Sequence, residues 1–459
     1  MNLSAIVSIA FTALAMAIGV PCAQADELFV RAGKLVDVEQ SRLLSDQWIQ
    51  VRDGKVVQVQ AYPAGAIERQ AGKATRVLDW SAYTVLPGLT DLHSHLVGDI
   101  QSSNYAAPLM SSAARDVLVG VGNARDTLYA GFTTVRDVGA YRAFTDVALR
   151  DAIAAGIVEG PRMIVAGAYV TVTQGGGEVT GLAPDVQVPA EMRRGVADDE
   201  AQVRQRVREL LAGGADFIKI IATGAVLAQG TEPGAPEYSE AEIRAAVEEA
   251  SLHGTFVTAH AHGAEGIKRA VRAGVRSIEH GSYLDDEAIA LMKQRGTWLV
   301  ADVYNGDYIE EVGRRDGWSE EILRKNRETT DIQRQGFAKA VRAGVRIGFG
   351  TDSGVFPHGL NARQFAYMVR QGLSPMRAIQ SATIDAARLL HREAEFGSIA
   401  VGRSADMIAV AGDPIADIEL LRRVQAVLQN GRLVCAPSAA AACHQDKHTT
   451  APIAQPAAE

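Results

Sequence analysis

Residues 215–224 read Ala-Asp-Phe-Ile-Lys-Ile-Ile-Ala-Thr-Gly. Phe217, Ile218, Ile220 and Ile221 make a near-continuous apolar run closed by Gly224, which is the pattern of a strand buried on both faces. Such strands belong to parallel sheets covered by helices, so this stretch points to an α/β fold. Lys219 is the anomaly within it, because lysine is among the residues least often buried. Taken alone, it reads as an edge position whose amine snorkels to water.

Working outward, the same unit recurs. Further short apolar strands are expected at 85–95, 133–139, 161–167, 256–263, 277–281, 297–304 and 346–354. Helix-period segments lie at 200–212, 240–252, 264–273, 285–294 and 318–343, and Gly131, Gly274, Gly296 and Gly344 follow helix ends as C-cap glycines do. Eight β–α units predict an α/β fold of the (β/α)8 TIM-barrel type. A doubly wound open sheet is the alternative, but no Gly-rich phosphate fingerprint follows the first strand. The flanks differ: 27–84 and the segment after the barrel alternate in short strands with Asp53-Gly54 and Asn430-Gly431 turns. The expected domains are a barrel over 87–396 and a small β-sandwich built from 26–86 and 397–440, with a flexible tail at 441–459.

The apolar run Leu3–Val20 and the Ala23-Gln24-Ala25 pattern predict a signal peptide over 1–25, hence a periplasmic or secreted protein; a retained N-terminal anchor is the alternative. No other stretch is long and apolar enough to span a bilayer. A net charge of −8 with scattered Lys and Arg argues against a nucleic-acid partner. Cys435 and Cys443 are left either as a disulfide or as two free thiols.

In a barrel of this type, side chains at the C-terminal ends of the strands share one site. The sequence puts there His93 and His95, Lys219, His260 and His262, His280, and Asp352. In His-x-His on a strand both imidazoles face the same side and can grip one divalent ion. His260 and His280 can hold a second ion from adjacent strands. Two close cations need an anionic bridge, which an ammonium cannot provide. A desolvated lysine loses its charge readily, and the neutral amine can add carbon dioxide to give a bridging carbamate. Asp352 can ligate a metal and take the proton of the attacking water.

These motifs, P-G-L-T-D-L-H-S-H, V-T-A-H-A-H-G, S-I-E-H-G, G-T-D-S-G and the late S-A-D-M-I-A-V, resemble the amidohydrolase superfamily in its binuclear, carboxylated-lysine branch. The resemblance implies two divalent metal ions, with zinc expected. It makes His93, His95 and Asp352 ligands of the buried metal, His260 and His280 ligands of the exposed one, and N6-carboxylated Lys219 the bridge. It implies that His262 lies near the substrate and that Asp352 shuttles the proton. The set is most similar to the Xaa-Pro dipeptidase, carboxypeptidase-like and ochratoxin-degrading amidase group, so the expected reaction is hydrolysis of the amide bond of a small N-acyl amino acid or dipeptide. Where relatives often carry Gly-His-Gly after strand three, this chain has Gln174-Gly-Gly-Gly-Glu178. Hydrolysis of a cyclic amide, lactone or phosphoester at the same metals, and a non-catalytic periplasmic binding protein, are the alternatives. Homo-oligomerisation stays open.

Tyr169 and Tyr304, at the ends of strands three and seven, are candidate catalytic or pocket contacts, with packing an equal reading. Arg136 and Asp137 are expected to pair, as a structural salt bridge or in support of the metal ligands. His358 is a further candidate near the pocket. His253 is read as a helix C-terminal residue, and His391, His444 and His448 as surface or tail positions.

Overall fold

The computed structural model describes residues 27–70, 75–98, 104–436 and 443. The expected signal peptide and all but Cys443 of the expected tail lie outside these residues.

Strands β1 (Glu27–Asp37), β2 (Arg42–Arg52), β3 (Lys55–Ala61) and β4 (Arg76–Pro87) precede the part of the chain that carries the candidate site residues. There follow β5 (Leu89–Ser94), β6 (Phe132–Asp137), β7 (Arg162–Val165), β8 (Tyr169–Val170), β9 (Ile218–Ile221), β10 (Val257–Ala261), β11 (Ser277–His280), β12 (Trp298–Val300) and β13 (Arg346–Ile347). The chain returns through β14 (Met407–Val410), β15 (Val424–Gln429) and β16 (Arg432–Cys435).

The flanking strands make one mixed sheet, β16-β15-β14-β4-β1-β2-β3, drawn from both sides of the chain. One apolar cluster joins the two ends of this sheet, where Val30, Ile49 and Val56 pack with Met407, Ala426 and Leu428. Backbone bonds from Val56 to Arg403 and from Ala405 to Gly54 tie the β3 end to the residues before β14. The sandwich expected from the flanks is thus one sheet curled on itself rather than two separate sheets. Cys435 and Cys443 are joined as a disulfide, with Cα atoms 5.9 Å apart.

The other strands form two parallel sheets, β5-β6-β7 and β13-β12-β11-β10-β9-β8. The third expected strand appears as β7 and pairs with β6; beyond Gly167 (φ 77°), the expected end of that strand, a further short strand, β8, pairs with β9. Asp216 N–H donates to Val165 O across this join. At the opposite edges, Leu92 N–H donates to Phe349 O, Asp352 N–H to His93 O and His95 N–H to Ser353 O. Linked at both edges, the sheets give a TIM-barrel-like α/β arrangement.

The expected helices appear as Glu200–Ala212, Glu240–Leu252, Ala264–Ala273, Asp286–Arg295 and Glu320–Ala343. Gly274, Gly296 and Gly344 cap the last three in the left-handed conformation. An additional helix, Asn305–Asp316, packs against Glu320–Ala343. Among the described residues, no helix is long and apolar enough to cross a membrane.

Candidate metal centre and active site

The ends of β5, β9, β10, β11, β12 and β13 converge on one cavity of about 160 Å³, whose wall includes His93, His95, Lys219, His260, His262, His280, Asp302 and Asp352. Potential ligand atoms fall into three overlapping groups: His93 with His95 and Asp352; His260 with His262 and His280; and His280 with Asp302 and Asp352. Within each group these atoms lie within 4.8 Å of one another. The first two groups adjoin, with the His93 and His280 rings 4.8 Å apart.

Each imidazole is oriented from behind. Nδ1 of His93 faces Glu279 at 2.9 Å, Nδ1 of His95 the Gly139 carbonyl at 2.8 Å, and Nδ1 of His280 the Asp302 carboxylate at 2.9 Å. His260 uses the other nitrogen, Nε2, toward the Gly224 carbonyl at 3.2 Å. A ring that donates one N–H to such an acceptor offers its second nitrogen as a lone pair, the arrangement metal-binding histidines adopt. Nε2 of His93 and Nε2 of His95 lie 3.4 and 3.3 Å from Asp352 Oδ1. Burial holds His260 and His262 well below the usual imidazole range, and the neighbouring His280 pushes the same way. For Asp352, burial alone would raise the carboxyl, but His93 and His95 outweigh it and hold it well below its ordinary value. His95 goes the other way, since burial lowers it but Asp352 outweighs burial and raises it. Imidazole nitrogens around an ionised carboxylate are a donor set that fits divalent cations.

Lys219 is fully buried, as the anomaly in its strand required. Burial lowers its amine to about 8, with Glu279 acting against the shift and Arg136 with it. His280 (φ 67°) and Asp352 (φ 59°) both sit in the left-handed region. Non-glycine residues there store strain that a packed site must hold.

Not every expected residue arrives at the cavity. Tyr169 does: its hydroxyl is 3.2 Å from Nδ1 of His95. Tyr304 does not. Its hydroxyl accepts from Arg363, and its ring packs on Phe356 and Tyr367. The expected Arg136–Asp137 pair is also absent, because neighbouring strand residues face opposite sides. Arg136 instead binds Glu279 at 2.7 Å, while Asp137 accepts the backbone N–H groups of Leu96 and Gly139. His358 lies behind the centre, bonded to the His95 carbonyl and lining an adjoining chamber. His253 lies beside Glu249, and His444 and His448 fall outside the described residues.

Four contributors went unread in the sequence. Asp302 follows β12 within T-W-L-V-A-D-V-Y, and the strand-end rule alone would have found it. Glu279 stands beside His280 in S-I-E-H-G. Asn305 joins the two carboxylates, donating to Asp302 Oδ2 at 3.2 Å and to Asp352 Oδ2 at 3.1 Å. Gln333 donates to Asp302 Oδ1 at 2.8 Å from a distant helix, which local pattern cannot show.

The chain is 32% identical over 359 residues to ochratoxinase of Aspergillus niger, an alignment covering 75% of this chain and 73% of that protein. The solved structure of A. niger ochratoxinase superposes with a TM-score of 0.80 at 28% identity, covering 90% of this chain and 97% of the other. A Xaa-Pro dipeptidase with methionine bound in its active site superposes with a TM-score of 0.82 at 37% identity, covering 89% and 99%. With residues 84–434 matching the Amidohydrolase family, the chain belongs to that family as a hydrolase of amide bonds.

Proposed function

We propose that the protein is a secreted or periplasmic, binuclear metal-dependent amidase of small N-acyl amino acids or dipeptides. The observation that carries this is the convergence of His93 and His95 Nε2 on Asp352 Oδ1, beside the His260–His262–His280 group. In this reading the two parallel sheets form a closed (β/α)8 barrel spanning about 87–396, supported by the backbone bonds at both edges. The curled sheet forms the second domain.

His93, His95 and Asp352 would hold one divalent ion, zinc in our reading. His260 and His280 would hold the other, and Lys219, carboxylated on its amine, would bridge them. When bound, such ions acidify water and polarise the scissile carbonyl. The chain's own residues do the rest. Asp352 accepts the proton of the attacking water, and Asn305 fixes its Oδ2 so that this oxygen does not rotate away. As the C–N bond breaks, the same proton passes to the leaving nitrogen, giving a free amine and a carboxylic acid, which then ionises by releasing the second water proton to solvent. His262, set by Ser282 at 2.7 Å, and Tyr169 flank the position of the carbonyl oxygen.

A hydrolysis screen of N-acyl amino acids and dipeptides, varied at the C-terminal residue and run beside metal analysis, tests this. The expected result is cleavage of at least one class with about two divalent ions per chain. One ion or none in the active protein would defeat the binuclear assignment.

A further inference from the structure

The cavity has two unlike walls. One carries the metal-ligand side chains. The other is built from Tyr105, Leu227, Ile309, Ile322 and Val355, five members of a small apolar cluster separate from the main core. Ile309 and Ile322 come from the paired helices Asn305–Asp316 and Glu320–Ala343.

The charges on the wall are already committed. Asp302 is bound by His280, Gln333 and Asn305, and Asp352 by His93, His95 and Asn305. Glu178 accepts the Gln174 N–H at 2.6 Å and is ion-paired with Arg193. Among the described residues of the wall, Lys219 is the single lysine or arginine. Among the described residues of the wall, an α-ammonium entering the cavity would find no carboxylate without a partner, and burying an unpaired ammonium is expensive.

The volume sets a size. About 160 Å³, close to the engineered apolar cavity of about 150 Å³ that admits one benzene, must hold the metal ions as well as substrate, so it leaves room for no more than about one ring beside them. In an N-acyl amino acid the leaving half always carries a carboxylate whereas the acyl half need carry no charge, which makes the acyl half the better match for the apolar wall.

Resting on the amidase reading above, we infer that this cavity selects amides whose acyl half is uncharged, apolar and about one ring in size, in preference to dipeptides with a free N-terminus. Leu227, Ile309 and Ile322 set that selectivity.

The test uses the metal-saturated protein and four amides of one leaving amino acid: acetyl, 3-phenylpropanoyl, 3-(2-naphthyl)propanoyl and phenylalanyl. The second and fourth differ only in the α-ammonium. The expected kcat/KM for 3-phenylpropanoyl exceeds each of the others by at least about fivefold, within the range that pocket contacts supply. A smaller advantage over the phenylalanyl amide overturns the charge argument, and a smaller advantage over the acetyl or naphthyl amide overturns the size argument. Cleavage of none of the four would instead count against the amidase reading. In Leu227→Ala, the ratio of naphthyl to phenyl kcat/KM should rise, and being a ratio it is insensitive to loss of folded protein. An unchanged ratio removes Leu227 from the selecting wall.

Discussion

Glu279 Oε2 lies 2.9 Å from Nδ1 of His93, and both side chains are closed off from solvent. Arg136, on β6, donates to Glu279 Oε1 at 2.7 Å and also to Ser277. Burial alone would raise the Glu279 carboxyl, but Arg136 and His93 together bring it well below its ordinary value.

Removing the carboxylate should therefore have two separable effects. Glu279→Ala leaves Arg136 buried without its counter-ion, expected to cost about 3–5 kcal/mol in urea unfolding. It also frees the His93 ring, expected to weaken metal binding roughly 10–100-fold in a chelator competition. The double variant Arg136→Met/Glu279→Leu should regain stability without regaining metal affinity.

Lys219→Ala should be inactive and metal-poor. Short-chain carboxylic acids added to it should restore part of the activity by supplying the missing bridging oxygens. Full activity of the unsupplemented variant would refute the bridging role.

The pH dependence of the metal-free protein follows from the same lysine. Burial brings its amine from 10.5 to about 8 in the folded state. Between those values the unfolded chain holds the proton and the folded chain does not, so this group makes stability rise with pH across that window. Lys219→Met should flatten the rise in denaturation experiments from pH 8 to 10.

Glu237 gives the opposite sign. Its carboxylate accepts the Gly176 N–H at 3.0 Å, and burial raises it to about 7. From about pH 4.5 to 7 the folded state holds the extra proton, so stability falls as pH rises through that window. Glu237→Gln keeps an acceptor for Gly176 without the charge. It should raise the Tm at pH 8 and leave it unchanged at pH 4.

Asp352→Asn should lower kcat by roughly 10²–10⁴-fold through loss of the proton acceptor. Substrate binding, measured with a non-hydrolysed analogue, is expected to change less.

The strand-end histidines were legible because each follows a short apolar run, and several helix ends because glycine punctuates them. The helix Asn305–Asp316 was not legible. It opens with Asn305-Gly306, which reads as a turn, and carries a second glycine at 313. Both glycines answer to packing: a Cβ on Gly306 would strike the Thr330 side chain, and one on Gly313 would meet Leu323. Likewise Arg136 and Asp137 are neighbours in sequence, but the pleat of β6 sends them to different partners. Pairings of that kind belong to tertiary geometry, and residue spacing does not encode them.

The Gln174–Glu178 loop closes another side of the cavity. Gly176 and Gly177 press onto Ala225 and Ile221 so closely that side chains there would force the neighbours apart.

Those two close-packed helices have an evolutionary meaning. The strands bearing the candidate metal ligands are tied into sheets, whereas two of the five apolar wall residues, Ile309 and Ile322, come from an excursion between β12 and β13. The same excursion carries Asn305 and Gln333, which hold Asp352 and Asp302, so support for the chemistry and part of the selectivity share one piece of chain. Exchanging the excursion for that of a relative should retarget the enzyme to other acyl groups only where Asn305 and Gln333 are kept, because these two residues hold the site's carboxylates.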